Sequence, residues 1–242
     1  MKITLISTTL AAMLMLFLTA AKAEQDLRCN ECVYSNAASA FCPDWRTTAT
    51  KEFSSPDGQK RIVVEVKPMA QPRLHVKIAN REYPVEFSPW PCPEFQWASD
   101  SKAFFLTYST GGNVGNYEVM LYYPTAGGVK VVDPTSSVQK DFLAHYATCF
   151  FPETPNLAGI TWTKDSDRLL VVAEVLNHSN CDMMGTFAAY EIEAPSGKIV
   201  KKYGQLEAKK QFWQTLGPAL RNADDECFTK PESCEIPMLH KK

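Results

Sequence analysis

Past residue 23 the chain has no run of Lys or Arg longer than two. Neutralising a phosphate backbone takes a basic stripe, so nucleic acid is not expected as a partner. Histidine is scarce as well: the chain has four, His75, His145, His178 and His240, and none belongs to a paired metal or catalytic motif. No cysteine stands where the leader would be cut, so nothing marks a bacterial lipid anchor.

The leader itself is "MKITLISTTLAAMLMLFLTAAKA", with Lys2 as a basic start, an apolar stretch from Leu10 to Ala21, and small residues in Ala21-Lys22-Ala23. This layout predicts a secretory signal peptide at 1–23 that is removed, and a secreted or periplasmic protein with no membrane association afterwards. A retained membrane helix would need about 20 uninterrupted apolar residues, usually with basic residues following. Here Lys22, Glu24, Gln25 and Asp26 close the stretch. With Lys2 and Lys22 gone, 23 basic side chains face 27 acidic ones. Residues 24–242 are expected to form a single β-rich domain, with a repeat region at 53–204 and a C-terminal helix and stapled tail at 205–242.

All eight cysteines lie after the leader, at 29, 32, 42, 92, 149, 181, 227 and 234. An even number in an oxidising compartment reads as disulfides, although spacing alone does not settle the partners. Cys227 with Cys234 is expected to staple the tail, and Cys149 with Cys181 to tether an insertion. Cys29 and Cys32 form a C-x-x-C pair, which can be redox-active at the start of a helix. They precede the weakly patterned "VYSNAASAFC" instead, so a structural pairing involving Cys42 or Cys92 is expected.

One phrase occurs three times: "SSPDGQKRIVVEV" around Asp57, "WASDSKAFFLTY" around Asp100 and "WTKDSDRLLVVAEV" around Asp165. Each is a turn followed by a strand. Asp accepts backbone N–H bonds within a turn, Gly58, Ser101 and Ser166 are small, and the apolar run that follows suits a strand buried on both faces. Trp97 and Trp162 stand three residues before their Asp, where the first copy has Ser54. Further strands follow each copy: 73–79 and 81–87, then 116–123 and 127–133, then 185–193 and 197–203. "TAGG" and "APSGK" are hairpin turns. Each unit therefore supplies a four-stranded meander.

"SSPDGQKRIVV" and the W-x-x-D-S pattern resemble the repeats of the Tol-type periplasmic β-propellers over about residues 53–204. The resemblance implies an exported protein built of stacked four-stranded blades that serve as a docking platform for other proteins. Three units are fewer than the roughly four to eight blades that close a ring. Either the terminal segments complete another blade, or the sheets stack openly under other elements; an irregular antiparallel sandwich is the alternative architecture. The fold class is therefore all-β, in propeller-like four-stranded antiparallel units, with an inserted short helix and a C-terminal helix.

The interval from Asp57 to Asp100 is 43 residues and that from Asp100 to Asp165 is 65, an excess of about 22. "PTSSVQKDFLAHYATCFF" lies in that excess. Ser136 with Gln139 makes a capping box, and Val138, Phe142 and Tyr146 recur at helical spacing. A second helix is expected from about Gln205 to Asn222, with Leu206, Trp213, Leu216 and Leu220 on one face as a lid over the sheet. Gly217-Pro218 should kink or split it.

Eleven residues after the first two turn Asp residues stand Pro68 and Gly111, and 13 after the third stands His178. Equivalent loops would share one face, and loops on a rigid scaffold are where binding usually resides. The partner-binding candidates are Gly111, Gly112, Asn113, Asn116, His178 and Asn180. "GGNVGN" lacks the spacing and the strand-to-helix context of a phosphate loop. "HSNCD" offers His178, Cys181 and Asp182, but no other ligand cluster is predictably near, so no metal is expected. Ser179 beside His178 lacks a nucleophile-elbow context. No catalytic set and no cofactor are expected. The expected function is a non-enzymatic module that binds another exported protein, such as an inhibitor or immunity-type partner. The alternatives are a hydrolase or metal-dependent enzyme using the 178–182 loop, and a thiol-disulfide protein using Cys29 and Cys32.

Overall fold

The computed structural model describes residues 34–42, 46–86, 90–110, 116–145, 153–163, 166–176 and 184–225. They form three antiparallel sheets and a few short helices. The first sheet is the meander β2 (Ala49–Ser54), β3 (Lys60–Val66), β4 (Arg73–Ile78) and β5 (Arg81–Val85). The second is β6 (Trp90–Trp97), β7 (Phe104–Ser109), β8 (Tyr117–Thr125) and β9 (Gly128–Val132), extended beyond β6 by the two-residue strand β1 (Ser39–Ala40). The third is β10 (Asn156–Trp162), β11 (Arg168–Glu174), β12 (Phe187–Glu193) and β13 (Lys198–Gly204). The three expected meanders are thus present, with strand ends shifted by a residue or two.

Alternation along each second strand shows how the sheets stack. Phe104 and Leu106 of β7 pack with Ile62, Val64 and Val66 of β3, while Phe105 between them packs with Leu169, Val171 and Ala173 of β11. Side chains of period two supply both faces of the middle sheet, which is why the run reads as continuously apolar. Leu170 and Val172 face the opposite way, into a third cluster with Leu216 and Leu220. None of the three apolar clusters joins the first sheet to the third among the described residues.

Both ends of the stack have a physical stop. The outer face of the first sheet is polar: Arg61 pairs with Glu52 at 3.1 Å and Lys77 with Glu82 at 3.0 Å, so that face is content in water. The outer face of the third sheet is covered instead. The helices α2 (Gln205–Phe212) and α3 (Pro218–Arg221) lie there, with Tyr34. Gly217-Pro218 splits the C-terminal helix as expected, since proline at the first helical position starts a new helix. The buried face differs from the expected one, however. Leu216 and Leu220 are buried, but Leu206 is 43% and Trp213 47% exposed, and α2 buries Gln205, Ala208 and Lys209 instead. The break after Phe212 resets the helical phase, so one periodicity carried across it fails. Between α1 (Ser136–His145) and sheets two and three, Val138 and Phe142 join the shared core. Its first turn starts from the Thr135 carbonyl, which accepts the Gln139 N–H at 2.9 Å, one residue before the expected cap. Tyr146 lies outside the described residues. Among those described, no helix is long and apolar enough to cross a membrane.

The repeated turns bind each other. Ser101 (φ 62°) and Ser166 (φ 57°) take the left-handed position that Gly58 (φ 69°) takes in the first unit. The Ser101 hydroxyl oxygen accepts the Asp57 N–H at 3.0 Å, and that of Ser166 accepts the Ser99 N–H at 3.0 Å. The tryptophans do likewise: the indole N–H of Trp97 donates to the Phe53 carbonyl (3.1 Å) and that of Trp162 to the Gln96 carbonyl (2.9 Å). Each Ser and Trp thus reaches back to the preceding sheet. Among the described residues no sheet precedes the first unit, which accounts for its Gly and Ser54 at these two places. Asp57 and Asp100 close their own turns, accepting N–H two residues on at 3.0 Å each; Asp165 lies outside the described residues.

These contacts are testable. Ser166→Ala leaves the Ser99 N–H without its acceptor and is expected to lower unfolding free energy by about 1 kcal/mol in urea denaturation. A change within error would remove the inter-sheet role of that hydroxyl. Gly159 in β10 permits a close approach of sheets two and three: a Cβ there would lie 2.7 Å from the Phe105 ring.

Candidate functional site

With the turns of all three units stapled together, β3, β7 and β11 leave the same end and run the same way. The described flanks of the loops that follow them, 67–72, 110 and 116, 175–176 and 184–186, therefore lie at the opposite end. Of Pro68, Gly111 and His178, the residues expected on one face, Pro68 is described. Gly111, Gly112, Asn113, His178 and Asn180 lie outside the described residues. Asn116 is described, and it closes its loop: its carbonyl accepts the Thr110 N–H at 2.8 Å and its side-chain amide donates to the Thr154 carbonyl at 3.1 Å. Apolar side chains project from two of the loops, Met69 being 94% and Met184 52% exposed. Met69 also holds φ 60°, a conformation that costs a non-glycine residue stability and has no packing to offset it.

Beneath these loops lies a buried acidic network that sequence reasoning missed. Glu174 ends β11, and Asn156 opposite it begins β10. Glu94 sits in β6, paired with Thr107 of β7 and Ala40 of β1. All are buried, and the segment at Tyr34 ties them together. The backbone N–H groups of Tyr34 and Ser35 donate to the two oxygens of Glu94 at 2.7 and 2.9 Å. The Tyr34 hydroxyl donates to Glu174 Oε2 at 2.7 Å, and Asn156 donates to the same oxygen at 3.0 Å. Asn156 Oδ1 accepts the Tyr117 N–H at 3.1 Å, and the Tyr117 ring lies edge-on to that of Tyr34. On its other side the segment joins the C-terminal helices: Tyr34 accepts the Gly217 N–H at 2.6 Å, and Asn36 donates to the Thr215 carbonyl at 2.8 Å.

Burial dominates the electrostatics. It raises the Glu94 carboxyl to about 8, against two backbone N–H bonds that favour the carboxylate. It raises Glu174 to about 7, against the bonds from Asn156 and Tyr34. Desolvation also lifts the Tyr34 phenol well above its ordinary value, with the Glu174 charge second. The two carboxyls are therefore brought toward neutral pH, while the Tyr34 phenol keeps its proton and remains a donor.

Glu174 closes the run "LLVVAE" in a strand already read as buried on both faces. That combination was the available signal for a buried acid. Matched against protein-family models and against curated proteins, the chain finds no relative.

The described cysteines form one disulfide, Cys42 with Cys92. This corrects the expected pairing of Cys29 or Cys32 with either of them, because Phe41 already bonds to Pro93 beside β1 and brings Cys42 to β6. Cys29, Cys32, Cys149, Cys181, Cys227 and Cys234 lie outside the described residues, as do Ser179, Asp182 and His240. Among those described, no group of three or more His, Cys, Asp or Glu side chains is placed to hold a metal. His75 faces Glu82 at 3.7 Å on the outer face of the first sheet, and His145 ends α1 against the Asp141 carbonyl at 2.8 Å.

Proposed function

We propose that this is an exported, non-enzymatic binding module whose loop end docks another exported protein, an inhibitor or immunity-type partner among the candidates. The observation that carries the reading is the exposed, left-handed Met69 in the loop after β3, one of three strands brought into common direction by the stapled turns. An exposed methionine contributes little to the chain's own core and adapts well to a partner surface. The disulfide and the leader-like first 23 residues support an oxidising compartment. The likeness of the repeated turns to Tol-type blades belongs to the same reading, since those blades act as docking platforms.

The test is capture from the native exported fraction by the mature protein and two variants. Met69→Asp combined with Asn113→Trp should weaken capture of the retained protein at least about tenfold, some 1.4 kcal/mol. Lys102→Glu, on an exposed side chain at the turn end, should leave it unchanged. Equal capture by all three proteins would exclude the loop end as the docking face.

A further inference from the structure

A cleft of about 420 Å³ opens at the loop end between the C-terminal flank of the 175–186 loop and the last helix. Met184, Gly185, Pro218 and Ala219 line it with apolar surface, Asn222 and Asp224 add polar groups, and Glu174 lines it from the core. Glu174 is 2% exposed, and both of its described hydrogen bonds fall on Oε2, from neutral donors. No cation pairs with it among the described residues. The nearby cations are engaged elsewhere: Lys209 pairs with Asp225 at 2.9 Å and donates to the Ala223 carbonyl, and Arg221 lies over the Trp213 ring.

A buried carboxyl with neutral partners and a path to solvent lacks the one thing that would stabilise its charged form, an adjacent cation. The cleft's apolar walls suit a methylene stem, and its carboxyl suits the charged head that such a stem carries. We propose that the cleft over Glu174 receives a lysine or arginine side chain of the docked partner. A cationic head on an aliphatic stem is what the two surfaces recognise together. Neutral apolar side chains would leave the carboxyl unpaired, and acidic ones would be repelled by Glu174 and Asp224. This deepens the docking reading and rests on it for the source of the side chain.

The probes are n-butylammonium and n-butylguanidinium, with 1-pentanol as the neutral control of similar length. Each is titrated into the mature protein at pH 8, above the value of about 7 to which burial raises the Glu174 carboxyl, and followed by backbone amide NMR shifts. Both cations should saturate, with shifts centred on Gly185 and Ala219, and the alcohol should bind at least about tenfold more weakly. Glu174→Gln keeps an oxygen to accept from Tyr34 and Asn156 and should weaken cation binding at least about tenfold. Ala219→Leu fills the cleft without touching the carboxyl and should abolish the shifts. Equal binding of the alcohol, equal binding by Glu174→Gln, or shifts that do not saturate would overturn the proposal. The two readings fail separately. Absent cation binding overturns the cleft while capture sensitive to Met69 and Asn113 stands; capture indifferent to those residues removes the docking face, and the cleft then remains a cation site without that partner.

Discussion

Unfolded in urea at pH 5 and at pH 8, the protein is expected to be the more stable at pH 5, by several kcal/mol. Glu94 is raised to about 8 and Glu174 to about 7, chiefly by burial, from an ordinary value of 4.5. Below the unfolded value both states bind the proton, and the stability associated with it is fully present. Between that value and the folded one, the folded state holds a proton that the unfolded chain has lost, so stability falls as pH rises. The window is therefore about pH 4.5 to 7 for Glu174 and about 4.5 to 8 for Glu94. A shift of this size at Glu174 alone corresponds to on the order of 3 kcal/mol. Glu174→Gln mimics the protonated side chain and should flatten the part of the slope ending near pH 7. Glu94→Gln is not its equivalent. Both Glu94 oxygens accept backbone N–H bonds, and a glutamine amide would set its own N–H groups against one of them. It should lower stability at every pH. A wild-type curve that is flat or rises from pH 5 to 8 would mean that the carboxyls are ionised in the fold.

Replacing both Cys42 and Cys92 by alanine should cost about 4 kcal/mol, the chain-entropy value for releasing a closed loop of this length. The bridge spans 50 residues, and the segment it closes contains the whole first sheet. That sheet packs its Ile62, Val64 and Val66 face against Phe104, Leu106 and Tyr122 and carries ion pairs on the other, so the tie matters more there than in the doubly covered sheets. It also anchors the segment from Tyr34 to Phe41, whose hydrogen bonds hold both buried carboxyls. The variant should therefore show a lower urea midpoint together with faster amide exchange at Ser35 and in β3. A loss below about 1 kcal/mol with exchange unchanged would mean that β1 and the Glu94 contacts hold the segment without the bridge.

The meanders were legible because apolar β-branched and aromatic runs after Asp-centred turns are local chemistry. "FFLT" and "LLVVAE" read as strands buried on both faces or nearly so, and they are. Gly217-Pro218 was legible as a helix break for the same reason: proline acts on its own turn. The face of the C-terminal helix was not, because the break shifts the phase and the sheet surface beneath it chooses Ala208 over Leu206. The roles of Ser101 and Ser166 went beyond what residue type allowed. Residue type placed a small residue in each turn, but a hydroxyl aimed at the neighbouring turn requires a neighbour.

The candidate site divides along the same line. By itself the sequence determined the three turns, the strands and the topological equivalence of the Pro68, Gly111 and His178 loops, since each depends on residues close along the chain. Only the tertiary structure decided that the stack stops at three sheets in the described residues, that Cys42 meets Cys92, and that Tyr34 joins Glu94 to Glu174. Those contacts span 50, 60 and 140 residues. What selects them is burial, which withholds water from the carboxyls and leaves backbone N–H groups, a phenol and an amide as their partners.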